Sequence, residues 1–254
     1  MFLIAVDIGN SLINIGFFVE QHLSVHKIEA SPLKIREEYE TILKKLLENL
    51  GEKNITGVII SSVAPGHTIV LKEALKSMTS VDPLIVSWRM KTGLSFAIPH
   101  PEKLGSDRIA NAAAAYELFR RPVAAIDTGT ASTISIVGEK ATFVGGAILP
   151  GLRLMNESLA RGTAQLSEVP LSPPVSALGT DTAGCIKAGL FYGTAGAIER
   201  ILDEIEKKIG YRVKVVVTGG YGGMISKFLK RQNKIMPHLT LEGLKILYMR
   251  NRDA

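Results

Sequence analysis

Two short acidic turns, Asp7-Ile8-Gly9-Asn10-Ser11 and Asp127-Thr128-Gly129-Thr130, lie 120 residues apart, each at the end of an apolar run. Glycine in such a turn permits a positive φ and lets backbone N–H groups approach a ligand with no Cβ in the way. The amides of Gly9, Asn10 and Ser11 therefore suit phosphate oxygens. Asp7 suits hydrated Mg²⁺, which keeps much of its water and often takes only one or two carboxylates. A hairpin turn in which Asp caps its own backbone explains either copy alone. Two copies in register, the second extended by hydroxyls at Thr130, Ser132 and Thr133, favour a pair of phosphate loops.

Gly105-Ser106-Asp107-Arg108 precedes an alanine-rich segment and reads as a helix start. By itself it is an N-terminal cap with its Asp favoured by the helix dipole. In a cleft between two phosphate loops, Asp107 gains a role as general base toward a hydroxyl, and Arg108 as a bidentate clamp on a carboxylate. Thr218-Gly219-Gly220 suits either an adenine ring or a plain strand–helix turn, and both readings stay open. The histidines at 22, 26, 67, 100 and 238 show no metal-ligand spacing. Met155, Met224, Met236 and Met249 read as core, and Cys185 as a buried structural thiol.

The elements that must position these residues alternate between strand and helix. Strands are expected over 2–6, 12–19 and 24–28, then a helix over 35–50 whose apolar residues recur at helical spacing, closed by Gly51. A buried-type strand at 58–63, a helix at 67–78, an extended piece at 84–87 and a helix at 109–119 follow. The second copy supplies strands at 123–127, 131–137 and 141–149 and a helix over 150–160, since Pro150 suits a first helical turn. A Ser/Pro-rich loop at 167–174, a long helix over 181–209, a strand at 213–217 and helices near 225–230 and 241–249 complete the chain. Glycines at 184, 189, 193 and 196 either weaken the long helix or mark close packing against a neighbour. The pattern predicts an α/β protein made of a duplicated lobe, 1–118 and 119–254, in one two-lobed body with the acidic turns facing across a cleft.

Composition narrows the class. The chain has 254 residues, 46% hydrophobic and 21% charged, enough for a sizeable core and unlike a disordered or collagenous chain. One cysteine allows no internal disulfide or multi-cysteine zinc site and points to a reducing, cytoplasmic setting. The start lacks a basic signal-peptide region, and no window approaches the roughly 18 to 20 apolar residues of a membrane helix. Formal charge is +6. From 225 to 254, Lys227, Lys230, Arg231, Lys234, Lys245, Arg250 and Arg252 oppose only Glu242 and Asp253. A solvated helical face explains this better than nucleic-acid binding, because aromatics are sparse there.

Taken together, these motifs resemble those of the type III pantothenate kinases, in the superfamily that includes actin and sugar kinases. The matching segments run Asp7-Ile-Gly-Asn-Ser11, Ser61-Ser-Val-Ala-Pro65, Gly105-Ser-Asp-Arg-Ile-Ala-Asn111, Asp127-Thr-Gly-Thr-Ala-Ser-Thr133, Gly145-Gly-Ala-Ile-Leu-Pro-Gly151, Ser158-Leu-Ala-Arg-Gly-Thr-Ala164, Gly179-Thr-Asp-Thr182, Thr218-Gly-Gly220 and Leu239-Thr-Leu-Glu-Gly-Leu244. The resemblance implies two ribonuclease-H-like (actin-like ATPase) lobes, mixed sheets flanked by helices, and phosphorylation of pantothenate by ATP at the start of coenzyme A synthesis. It implies that Asp7, Ile8, Gly9, Asn10, Ser11, Leu12, Ile13 and Asn14 form the first ATP loop, that Thr130 contacts ATP from the second, and that Asp7 meets Mg²⁺ of Mg·ATP through water. Gly105, Ser106, Asp107 and Arg108 would hold pantothenate with Asp107 as proton acceptor, Thr182 would touch substrate, and Asp127 would bind K⁺ or NH₄⁺. The family is dimeric, with substrate pockets at the subunit interface.

The sequence departs from the family pattern at three positions. Ser11 replaces the usual Thr and keeps its hydroxyl; Ser135 stands where the second loop commonly carries another Asp; Phe96 stands where Tyr is frequent. The Ser135 change bears on cation dependence. Two rivals follow from the same residues: a non-catalytic accessory homologue that binds nucleotide or DNA, and a related kinase or phosphohydrolase acting on another hydroxylated acid or on polyphosphate.

Overall fold

The computed structural model describes residues 1–48 and 54–252. Leu50 and Gly51, expected to close the first helix, and Asp253 of the basic stretch lie outside the described residues. In chain order the strands are β1 (Phe2–Ile8), β2 (Leu12–Val19), β3 (His22–Glu29), β4 (Gly57–Ser62), β5 (Leu84–Ile85), β6 (Ser95–Phe96), β7 (Val123–Thr128), β8 (Ala131–Val137), β9 (Thr142–Pro150), β10 (Lys214–Thr218) and β11 (Lys234–Ile235). The helices are α1 (Arg36–Glu48), α2 (Pro65–Thr79), α3 (Ser106–Phe119), α4 (Leu152–Gly162), α5 (Thr182–Ile209), α6 (Gly222–Ile225) and α7 (Leu239–Asn251). Contacts divide the chain into one unit of Met1–Leu94, Pro99–Ala114 and Leu239–Ala254, and another of Ser95–Ile98 and Ala115–His238.

In the first unit the sheet order is β3-β2-β1-β4-β5, with β1 antiparallel to β2 and parallel to β4. Phe2, Leu3, Ile4, Ala5 and Val6 are all buried, as an unbroken apolar run requires when both faces of a strand are covered. On one face Ile4, Val6 and Ile8 join Tyr39 and Leu43 of α1 and Leu71 and Leu75 of α2 in a single core. On the other, α7 packs against β1 and β4. Its approach is close because residue 57 is glycine: an added Cβ would stand 2.5 Å from Cε2 of Tyr248, whose hydroxyl donates to Thr56 O at 2.7 Å.

In the second unit the order is β11-β10-β7-β8-β9-β6. Read as β9-β8-β7-β10-β11, it reproduces the first sheet with the same strand directions, and β6 is an addition at the β9 edge. The repeat extends to register. Asp7 pairs with Asn14 and Ser61, while Asp127 pairs with Thr133 and Thr218. The core here gathers Ile126, Ile134, Leu152, Ile186, Leu190, Phe191, Ile198 and Val217.

Some expectations are corrected. Pro150 does not open a helix; it ends β9 opposite Ala131, where a missing N–H costs little, and Leu152 opens α4. Helix near 225–230 is only the four-residue α6 followed by a 3₁₀ turn. Met249 is exposed rather than core. Of the α5 glycines only Gly184 packs tightly; Gly189, Gly193 and Gly196 have nothing within 4 Å of an added Cβ.

Candidate active site

The first acidic turn sits where β1 gives way to β2. The Gly9 N–H donates to Leu12 O at 3.0 Å, and a Cβ on residue 9 would crowd that same carbonyl at 3.0 Å. Asn10 is exposed at the tip, and Ser11 O is held by the Ala30 N–H at 3.0 Å. Asp7 is half-buried, with Asn14 Nδ2 3.4 Å from its Oδ2. Ile8 and Ile13 are fully buried, so within 7–14 they build the turn rather than offer side chains to a ligand; Leu12 is exposed.

The run 105–108 comes to the same end of the first sheet. Ser61, the register neighbour of Asp7 on β4, lies 3.1 Å from Ser106 Oγ, oxygen to oxygen. Ser106 Oγ also accepts from the Ser62 N–H at 2.8 Å and donates to Ser62 O at 2.9 Å. The first residue of α3 is thereby fixed to the last residues of β4. Asp107, next along, is half-buried, and its Oδ1 accepts from the Arg108 N–H at 2.8 Å. Desolvation pushes the Asp107 carboxyl above its ordinary pKa, although the Arg108 amide and guanidinium pull it down. Burial likewise lowers the Arg108 guanidinium against the pull of Asp107. A carboxylate kept partly out of water is a stronger proton acceptor than a solvated one.

In the second unit the Asp127 turn is enclosed by backbone. The Gly129 N–H donates to Ala131 O and the Gly151 N–H to Thr130 O, each at 3.0 Å. A Cβ on residue 151 would collide with the carbonyls of Gly129 and Thr130. Gly219 has φ +90°, and a Cβ there would stand 2.6 Å from Thr128 N and strike Asp127 Oδ1. The Tyr221 N–H donates to Thr128 O at 3.1 Å. Thr218-Gly219-Gly220 is thus a strand–helix turn pressed against Asp127. Asp127 is half-buried, Thr130 exposed, and Ser132 and Ser135 buried on β8.

The remaining predicted residues fall on other elements. Thr182 is exposed at the start of α5, where Asp181 caps the helix by accepting from the Gly184 N–H at 2.6 Å. Cys185 is exposed, not buried: it lies on the solvent side of the first turns of α5, while Ile186 and Leu190 turn inward. Phe96 packs on Phe143, ring centroids 6.1 Å apart. Much of the basic stretch has structural work. Arg231 bonds Glu199, Asp203 and Glu206, Lys245 lies 4.9 Å over the Phe18 ring, and Arg250 donates to Thr92 O. These uses weaken the case for a nucleic-acid face. Sequence reasoning missed the parts played by Ser61, Ser62 and Gly151; their only signal was membership of otherwise unexplained motifs.

Comparison with known proteins identifies the family. The family model for type III pantothenate kinase matches residues 3–204. A type III pantothenate kinase from Moorella thermoacetica is 36% identical over 252 residues, covering 98% of this chain and 99% of the relative. Among solved structures, an activator of 2-hydroxyisocaproyl-CoA dehydratase from Clostridium difficile with bound ADPNP superposes with TM-score 0.58 at 12% identity, covering 98% and 94% of the two chains. An inorganic polyphosphate/ATP-glucomannokinase from Arthrobacter does so with TM-score 0.52 at 12% identity, covering 98% and 99%. At such identities the structures speak for the fold alone, and the fold is the expected α/β type with two mixed, helix-flanked sheets. The chain belongs to the type III pantothenate kinase family.

Proposed function

We propose that this chain transfers the γ-phosphoryl group of Mg·ATP to the primary hydroxyl of pantothenate, giving 4′-phosphopantothenate and ADP. The observation that carries the reading is the partly desolvated Asp107 carboxylate, fixed at the start of α3 and tied to the strand beside Asp7. In this reading each acidic turn serves the nucleotide. The amides of 9–11 and the Thr130 hydroxyl hold phosphate oxygens, and Gly105, Asp107 and Arg108 lie against pantothenate. Arg108 clamps its carboxylate and Thr182 contributes a further contact. Asp107 takes the hydroxyl proton as that oxygen attacks the γ-phosphorus, and the β–γ bridging oxygen leaves with ADP. Phosphoryl transfer asks mainly for positioning and charge neutralisation, which this arrangement supplies.

The donor set fits lightly held cations. Among the described residues no group of three or more His, Cys, Asp or Glu could cage a metal. Asp7, half-buried at a strand end with Asn14 beside it, suits a magnesium ion bound through water and the phosphates. Asp127, ringed by the backbone of Thr128 and Gly219, is the residue to hold K⁺ or NH₄⁺. When bound, these cations neutralise charge that builds on the phosphates.

We also assign this chain a homodimeric state and a cytoplasmic setting. Support for self-association is the exposed side of α5, where Gly189, Gly193 and Gly196 leave open space beside exposed Tyr192. Among the described residues no helix is long and apolar enough to cross a membrane. ADP release measured with and without pantothenate, in Na⁺ and then in K⁺, tests the proposal. Pantothenate-dependent release, faster in K⁺, is expected; release independent of pantothenate indicates a hydrolase, and none at all a silent binder.

A further inference from the structure

We infer that Ser106 is a positioning residue and not a substrate contact: with Ser61 and Ser62 it clasps the first turn of α3 to the end of β4 and so sets the Asp107 carboxylate. The inference rests on the proposed role of Asp107 as base.

A serine hydroxyl has one proton to give and two lone pairs. In Ser106 all three are engaged. Its proton goes to Ser62 O at 2.9 Å, and its lone pairs take the Ser62 N–H at 2.8 Å and the Ser61 hydroxyl at 3.1 Å. With its own proton committed to the carbonyl, Ser106 receives the proton of Ser61. The residue is buried, 8% exposed, so nothing on the hydroxyl is left for pantothenate. The far side of the clasp is equally fixed. Ser61 is in register with Asp7, and the Ser62 hydroxyl accepts from the Ala64 N–H at 3.0 Å and from Thr68 Oγ1 at 2.6 Å. Gly105 completes the seat, because a Cβ there would stand 2.5 Å from Asp107 Oδ1 and turn the carboxylate away. The Ser61-Ser62 pair, which the transfer reaction leaves without a role, thereby acquires one.

A misplacement of about 1 Å can cost a factor of about 100 in rate. Ser106→Ala is therefore expected to lower kcat between about tenfold and a hundredfold, with KM for pantothenate and for ATP within about twofold. Ser61→Ala, which deletes one bond of the three, lowers kcat less and in the same sense, and serves if Ser106→Ala folds poorly. The decisive comparison places Ser106→Ala in an Asp107→Asn background. If Ser106 acts through Asp107, the second change adds less than about twofold. A tenfold rise in KM for pantothenate with kcat retained overturns the inference in favour of substrate contact. Full multiplicative loss in the double variant, or unchanged kcat in Ser106→Ala, overturns it as well. Wild-type turnover by Asp107→Asn alone removes the base on which the inference rests, and overturns it on that separate ground.

Discussion

Gly243→Ala probes how firmly α7 holds the helix that carries Asp107. Gly243 lies inside α7, and a Cβ there would stand 2.5 Å from the carbonyl carbon of Ala110 and 3.0 Å from its Cα. The same Cβ would strike Ala110 O, and since ordinary contact begins near 3.4 Å the two helices must part by more than about 1 Å. Ala110 belongs to α3, three residues after Asp107, and the obstructing atoms are backbone, so no rotamer change relieves the clash. Overpacking of this kind costs about 3 kcal/mol. Alanine returns about 1 kcal/mol of helix propensity, leaving a net loss of about 2 kcal/mol. For a chain of this size that lowers Tm by roughly 4–8 °C. The displaced α3 also moves Asp107, so kcat falls about tenfold or more. Thermal unfolding followed by circular dichroism, with turnover measured on the same samples, reads both effects. Gly162→Ala, at the end of α4 with nothing within 4 Å, is the control and shifts stability by less than about 1 kcal/mol. Wild-type Tm and turnover in Gly243→Ala would refute the packing argument.

Further predictions follow from charge and surface. Because burial raises the Asp107 pKa, the acid limb of kcat/KM lies above that of a solvated aspartate, and activity falls as pH drops through the raised value. The same shift means that the folded state binds a proton which the unfolded chain releases. Its stabilising contribution is complete below the unfolded pKa and is lost as pH rises through the folded one, so Asp107→Asn is more stable than the parent at neutral pH in urea titrations. Arg231→Met removes the cation shared by Glu199, Asp203 and Glu206, while Glu206 keeps the Arg212 guanidinium at 2.7 Å and the Val213 N–H at 2.9 Å, so the cost by denaturant melts is about 2 kcal/mol. Desolvation raises the Glu199 pKa, but Arg231 outweighs it and holds the carboxylate below its usual range; that stabilisation is present above the unfolded pKa and disappears as pH falls through the folded one. For the proposed homodimer, Gly193→Arg on the open side of α5 is expected to give monomers in light scattering, with an unchanged circular dichroism spectrum.

The sheets were largely legible because the signals for them are local. Apolar runs ended by Asp-x-Gly at a 120-residue offset predicted a repeat, and both sheets show it in strand order and in the register of Asp7 and Asp127. What escaped depends on distant partners. Pro150 is compatible with a strand end and a helix start alike, and only Gly151 pressed against the Gly129–Thr130 backbone decides between them. By residue type Cys185 belongs in the interior, whereas the phase of α5 places it outside. Which sheet the last helix would cover could not be read from its sequence, since Tyr248 on Gly57 and Gly243 on Ala110 are contacts across more than a hundred residues. Of the candidate residues, Asp7, Asp107 and Asp127 follow from residue type and motif alone. The clasp of Ser106 on Ser61 and Ser62 was hidden, because a hydroxyl's partners leave no trace in spacing.

Asp107→Asn offers the most direct measurement: steady-state pantothenate phosphorylation set beside nucleotide affinity by calorimetry on the same preparation. Loss of the base should lower kcat by about a hundredfold or more while ATP affinity stays within about twofold. Wild-type kcat in that variant would contradict the assignment of Asp107 as the group that receives the hydroxyl proton.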